Sequence, residues 1–271
     1  MDLFQTIIIA IVEGLTEFLP VSSTGHMIIT QHLLGVEQGN PFVHAFTFII
    51  QFGAILSVVC LYWKKFFSFK PEMWKLYGLL IIGVLPVVVV GLAAKRSGLL
   101  DWLLDSIWVV AITLVVGGIF MLFCDNIFNK GKEENGVTPK RAFLIGLFQC
   151  LSVIPGMSRS MSTIVGGMAN KLTRKNAAEF SFFLAVPTMA GATILDVHDM
   201  MNENVDWATS NNLFLLGIGC VVSFVVAIFA MKWFVNVLTK YGFKAFGWYR
   251  IIVGIILLVM LLSGVSLNMV D

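Results

Sequence analysis

The residues best suited to chemistry lie in two short polar stretches. The first is Glu13-Gly14-Leu15-Thr16-Glu17-Phe18-Leu19-Pro20-Val21-Ser22-Ser23-Thr24-Gly25-His26, and the second is Pro155-Gly156-Met157-Ser158-Arg159-Ser160-Met161-Ser162-Thr163. Glu13 and Glu17 are one helical turn apart and share a face. Like charges at that spacing repel, and more so in low dielectric, so one is protonated or a cation lies between them. Hard divalent cations favour carboxylate oxygens, which makes Glu13 and Glu17 a candidate metal pair. The plainer reading is a carboxyl pair neutralised inside the protein by Ser or Thr hydroxyls. Ser22, Ser23 and Thr24 follow Pro20 and open the next helical run. Free backbone N–H groups and the positive end of the helix dipole there suit a phosphate. Ser22 or Ser23 can equally be a simple N-cap, and the two roles are compatible. His26 stands three residues after Ser23 on the same helix face, as proton shuttle, nucleophile, ligand or packed core residue.

In the second stretch Arg159 is permanently charged and presents a fork of donors suited to phosphate or carboxylate. Gly156 lets the backbone approach closely, and Ser158, Ser160 and Thr163 add hydroxyls. The plainer reading of Arg159 is an ion pair with Glu13 or Glu17 that locks two parts of the chain together. An arginine in a hydroxyl-rich break, facing a second polar break, points to an anion site. His44, Gln51 and Glu179 lie in or near apolar segments and are candidates for supporting roles.

The elements that must position these groups are apolar. Of 271 residues, 58% are hydrophobic and 13% charged, with a mean hydropathy of +0.90. Soluble domains carry about 45–50% apolar and about 25% charged residues. The chain therefore reads as an all-α polytopic membrane protein. Its apolar runs reach about 20 residues, the length that spans a bilayer as helix, and the alternation of a membrane barrel is missing. Ionisable groups at membrane depth are costly and mark functional sites. The net charge is +2, and no basic, aromatic-interleaved patch suggests nucleic acid. The start of the chain lacks the basic region of a cleaved signal peptide. Cys60, Cys124, Cys150 and Cys220 sit singly in or beside apolar segments, as small hydrophobes rather than disulfides or thiolate ligands.

Six full spans are expected at roughly 42–62, 76–94, 106–124, 177–195, 213–235 and 250–268. Two further apolar regions, 4–34 and 142–170, are interrupted at Leu19–Gly25 and Ile154–Ser160. Each splits into half-helices of about 15 residues, too short to cross, which predicts two re-entrant helical hairpins. Broken backbone at that depth must be buried in protein or line a wet cavity. Lysines and arginines orient the spans. Placing those at 64–75, 130–141, 171–175 and 232–250 in the cytoplasm leaves only Lys95, Arg96 and Arg159 of the 18 elsewhere. Lys95 and Arg96 are offset by Asp101 and Asp105, and the segment Asp196–Asp206 then falls outside with no Lys or Arg. The first hairpin enters from outside and the second from the cytoplasm, each followed by three spans. This is a single membrane domain over 1–271 with an inverted-topology repeat, about 1–128 and 139–271, and a site where the broken helices meet. Sequence echoes are weak: Phe18-Leu19-Pro20 with Val153-Ile154-Pro155, and Phe46-Thr47-Phe48 with Phe180-Ser181-Phe182.

The two polar stretches, with Ala177-Ala178-Glu179-Phe180-Ser181-Phe182-Phe183-Leu184-Ala185-Val186-Pro187, resemble the signatures of the bacterial undecaprenyl-diphosphatases, the bacitracin-resistance (BacA/UppP) family. The likeness extends over essentially the whole chain. It implies hydrolysis of undecaprenyl diphosphate to the monophosphate carrier lipid of cell-wall synthesis, a divalent cation such as Mg2+ or Ca2+, and resistance to bacitracin on overproduction. The family's functional residues fall on Glu13, Glu17, Ser23, His26, Ser158, Arg159 and Thr163. A bacterial cytoplasmic membrane location follows from the resemblance, with the site open to the periplasmic or outer face; membrane lipids are the other expected partners and a homodimer is left open. The expected roles are cation binding by Glu13 and Glu17, and catalysis by Glu17, Ser23, His26 and Arg159. Ser22, Thr24, Gly156, Ser158, Ser160 and Thr163 contribute phosphate contacts. Ser23 is the expected nucleophile with His26 as base or acid, and His26 as nucleophile is the competing assignment. The rival function is a transporter or flippase of a polyprenyl phosphate lipid, for which broken helices and an inverted repeat are equally apt.

Overall fold

The computed structural model describes residues 1–36, 40–104, 106–128, 130–202 and 209–265. Asp105, Asn129, residues 203–206 of the acidic loop and the end of the last expected span at 266–268 lie outside the described residues. Within them the regular structure is helical throughout. The helices α1 (Leu3–Thr16) and α2 (Ser23–Leu33) flank the first break. Then come α3 (Pro41–Leu61), the one-turn α4 (Trp63–Phe66), α5 (Pro71–Arg96), the short α6 (Leu99–Leu104) and α7 (Ile107–Phe128). The second break lies between α8 (Pro139–Gln149), extended by a 3-10 turn at Cys150–Val153, and α9 (Arg159–Ala169). The chain continues through α10 (Arg174–Asn202), α11 (Ser210–Tyr241) and α12 (Lys244–Leu262).

Six helices, α3, α5, α7, α10, α11 and α12, are long and apolar enough to cross a membrane. Each overlaps one expected span: α5, α7, α10 and α11 run longer, α3 matches in length, and α12 lies six residues earlier than the expected 250–268, ending at Leu262. With 14 residues, α1 reaches only roughly 21 Å, short of a hydrocarbon core of about 30 Å. Local chemistry sets the ends. Asp2 and Gln5 form a capping box at the start of α1. Pro41, Pro71 and Pro139 occupy first turns, where a missing N–H is harmless. Pro20 and Pro155 disfavour helix in the residues before them and hold both breaks open.

The half-helices are packed against long ones rather than lying free. Helix α1 lies along α11, and α8 lies along α5. Helix α9 packs on α10, α3 packs on both α10 and α11, and α7 pairs with α12. Buried aromatics knit the centre: Phe18 of the first break meets Phe182 edge-on with centroids 5.3 Å apart, and Phe234 contacts Phe246 at 5.3 Å. Large apolar side chains such as Phe123, Val221, Phe229 and Ile252 remain exposed on the long helices, as expected of surfaces facing lipid.

Two charge placements differ from expectation. Lys232 and Lys240 lie inside α11, so the connection to α12 shrinks to Gly242 and Phe243. Arg250 belongs to no loop: it sits within α12 and is 0% exposed. Arg159 is therefore not alone as a cation at this depth. The cysteines form no disulfide, and Cys124 is buried as expected, whereas Cys60 is exposed.

Candidate active site

The site is assembled where the two breaks touch. Glu17 caps the C-terminus of α1, its N–H donating to the Glu13 carbonyl at 3.0 Å. Its carboxylate bridges the breaks. Oε1 accepts from Arg159 Nη2 at 2.9 Å, and Oε2 accepts from Ser23 Oγ at 2.8 Å. Both ends of the ion pair are nearly buried, with side-chain exposures of 11% for Arg159 and 7% for Glu17. An ion pair this dry persists only when further hydrogen bonds satisfy it. Arg159 Nη1 donates to the Ser181 carbonyl at 3.2 Å, and its guanidinium lies 5.7 Å from the Phe18 ring centre. Arg159 Nε is buried without a hydrogen-bond partner.

Both breaks end on the same backbone device. Ser22 caps α2 at φ 71°, ψ 101°, and Ser158 caps α9 at φ 71°, ψ 114°. A non-glycine residue at positive φ is held there by its surroundings at a cost of about 1–3 kcal/mol, and such residues cluster at functional sites. Two helix N-termini consequently open onto one polar cavity of about 170 Å³. Glu17, Ser22, Ser23, Thr24, Gly156, Ser158 and Arg159 line it, with Gln51 from α3 and Met189 from α10. Oriented N–H groups and a guanidinium are the kinds of donor that suit an anion, beside the Glu17 carboxylate.

Other expected site residues stand behind this cavity. His26 does not touch Ser23, although helical spacing puts both on one face. Its Nδ1 is 2.7 Å from the Ser22 carbonyl and its Nε2 is 2.7 Å from Tyr249 Oη. A carbonyl only accepts, so Nδ1 carries the proton and Nε2 accepts from the tyrosine. The two rings stack with an interplanar angle of 10°. Thr163 faces α10, hydrogen-bonded to Ser181 Oγ at 2.6 Å. Ser160 donates to the Leu19 carbonyl at 2.8 Å and ties the second break to the first. Gly156, at φ +82°, has no room for a Cβ, which would collide with Thr113 Oγ1 and lie 2.7 Å from the Val110 carbonyl. Glu179 and His44 are elsewhere: the first pairs with Lys65 at 3.1 Å, the second packs on Phe48.

Arg250 and Tyr249 were not singled out by sequence. Arg250 donates to five backbone carbonyls: Pro20 of the first break, Gly156 and Met157 of the second, and Thr113 and Leu114 of α7. One guanidinium thus satisfies the carbonyls that the broken helices leave without partners. Gly117 makes room for it, since a Cβ there would stand 2.5 Å from Arg250 Nη2.

The donor set fits a hard cation held jointly with a substrate. Both Glu13 oxygens are buried and without a hydrogen-bond partner, one turn from Glu17. Among the described residues no group of three or more His, Cys, Asp and Glu could close a cage around a metal. One or two carboxylates, with phosphate oxygens completing the sphere, is the usual way of binding Mg2+.

Fold and site together define a multi-pass, helical membrane protein with a polar cavity between two helix breaks. The family model for the bacitracin resistance protein BacA matches residues 6–256. An undecaprenyl-diphosphatase of Porphyromonas gingivalis is 51% identical, over 98% of this chain and 99% of the relative. Those of Flavobacterium psychrophilum and Bdellovibrio bacteriovorus are 50% and 44% identical, over 95% and 100% of this chain and of each relative. The chain belongs to the BacA family.

Proposed function

We infer that this protein is an integral-membrane phosphatase that hydrolyses undecaprenyl diphosphate to undecaprenyl phosphate and phosphate, the reaction for which its relatives are named. The observation that carries the chemistry is Glu17, held between the Ser23 hydroxyl and the Arg159 guanidinium. The terminal phosphate enters the cavity and takes Arg159 as its counter-charge, with the Ser22, Thr24 and Ser158 hydroxyls and the N-termini of α2 and α9 as donors. Ser23 Oγ passes its proton to Glu17 and attacks the terminal phosphorus. The bond from that phosphorus to the bridging oxygen breaks, and undecaprenyl phosphate leaves. Water then attacks the phosphoserine and releases phosphate. Arg159 stabilises the charge on the transferring group in both steps. Glu13 and Glu17 would hold Mg2+ or Ca2+, which when bound neutralises phosphate charge. His26 stands behind the cavity as a positioning residue, its Nδ1–H on the Ser22 carbonyl and its Nε2 on the Tyr249 hydroxyl. Its occupied ring nitrogens favour Ser23 over His26 as nucleophile.

The inverted repeat with two re-entrant hairpins is the architecture that best accounts for the packing. Helix α1 lies on α11 as α8 lies on α5, while α3 packs on its counterpart α10 and α7 on its counterpart α12. The matched serines Ser22 and Ser158, both at φ 71°, support the same reading. With Lys64–Lys75 and Lys130–Arg141 cytoplasmic, the first hairpin enters from outside and the site opens to the periplasmic face of the bacterial inner membrane.

The test is phosphate release from undecaprenyl diphosphate by purified protein in detergent. Release should stop with a chelator and return with Mg2+ or Ca2+. No release under any metal condition, with transfer of a polyprenyl phosphate across a bilayer instead, would sink the phosphatase reading.

A further inference from the structure

A second and larger cavity, of about 630 Å³, opens where α3 passes into α4 and α5, against the start of α10 and Gly136–Val137. It shares no lining residue with the phosphatase site. Four lysines line it, Lys64, Lys65, Lys70 and Lys75, against two glutamates, Glu72 and Glu179. Glu179 is matched by Lys65 at 3.1 Å, and Lys65 also lies 5.1 Å from the Phe183 ring centre. Among the described residues Lys64, Lys70 and Lys75 make no ion pair.

The wall of this cavity is apolar and built. Met73, Leu79, Phe180 and Phe183 are buried in it. Arg141 Nη1 donates to the Gly136 carbonyl at 2.6 Å, and Asn135 Nδ2 to the Lys171 carbonyl at 2.9 Å, which holds the linker side in place. Adjoining these lysines in sequence, Trp63, Phe67, Phe69 and Trp74 are 53–81% exposed. Exposed aromatics at the ends of membrane spans mark the level of the lipid head groups. Lysines at that level attract phosphate-bearing lipids, and an apolar wall beneath them accommodates the start of an acyl chain.

We propose that this cavity binds the phosphate head group of an anionic membrane phospholipid, with Lys64, Lys70 and Lys75 on the phosphate and the chains leaving past Leu76 into the bilayer. The site is separate from catalysis and would seat one lipid per chain.

Native mass spectrometry of the full chain titrated with phosphatidylglycerol tests it. The combined variant Lys64→Gln, Lys70→Gln, Lys75→Gln should bind the tightest phosphatidylglycerol about tenfold more weakly, or worse. The control Lys232→Gln, Lys240→Gln removes exposed lysines from α11 and should change binding less than twofold. Equal losses in both variants would reduce the effect to diffuse surface charge and overturn the proposal. So would equally tight binding of phosphatidylcholine, or displacement of the lipid by millimolar inorganic phosphate, which would make the ligand a soluble anion. A photo-crosslinking phosphatidylglycerol on the unaltered protein gives an answer independent of variant folding. It should label the 63–79 segment, and labelling confined to other segments counts against the site.

Discussion

The first break, between α1 and α2, and the second, between α8 and α9, each end on a serine at φ 71° that caps an 11-residue helix. Their side chains diverge. The first contributes Glu17, Ser23 and His26, with Glu13 behind; the second contributes Arg159 and hydroxyls. One backbone device has been used twice, once to present the proposed nucleophile with its hydrogen-bonded carboxylate and once to present a cation. Neither half has both kinds of group. The carboxylate of Glu17 is where they meet, bonded to Ser23 on its own side and to Arg159 on the other. The paired breaks therefore do more than interrupt two helices: in the proposed mechanism they divide reactivity from charge stabilisation.

Substitutions can break that division or sharpen it. Ser23→Ala should lower phosphate release by roughly 10⁴-fold or more, as loss of a nucleophile does. Near-normal turnover, with phosphate trapped on His26, would move the nucleophile within the first break. Arg159→Ala should lower kcat/KM by about 10²–10³ through lost charge stabilisation, and Arg159→Lys should recover little because a lysine cannot replace the fork. If Arg159→Ala kept its rate, the second break would be scaffold alone. Arg250→Met should injure both breaks at once. It orphans buried carbonyls at about 1–3 kcal/mol each, so detergent-solubilised protein should melt earlier and turn over less. Tyr249→Phe should reduce turnover about fivefold, the worth of a hydrogen bond of about 1 kcal/mol, with a melting temperature close to the parent's. Ser160→Ala, which cuts the tie to Leu19 and the contact with the Ser158 hydroxyl, should cost about 1 kcal/mol of stability and leave kcat within a few fold.

Much of this arrangement was legible in the chain. Hydropathy located the six spans, because a bilayer demands about 20 apolar residues whatever else the sequence does. The clusters of Pro, Gly and Ser at 19–25 and 154–160 located the breaks; proline alone does not, since Pro86 and Pro187 lie inside α5 and α10. The partners inside the site were less legible. Helical spacing placed His26 beside Ser23, yet the hydroxyl turns to Glu17, six residues back across the break. Nothing local encodes how a broken helix folds back on itself. Arg250 was hidden by its neighbours. Beside Lys244, Trp248 and Tyr249 it looks like an interfacial charge, and its partners Pro20 and Gly156 are 230 and 94 residues away. Expected outer-shell roles for His44 and Glu179 fell on residues that serve other neighbourhoods, while Gln51 does line the cavity. Burial of a polar residue in a span tells that it has a partner, not which one.

The Arg250 guanidinium also sets an order of events. Chains are made from the N-terminus, so the first break leaves the ribosome long before α12 exists, and the second break still precedes it. Until Arg250 arrives, the carbonyls of Pro20, Gly156 and Met157 lack the donor that closes both breaks. The last helix is thus the keystone of biogenesis: a nascent chain halted before it holds every proposed reactive group and no finished site.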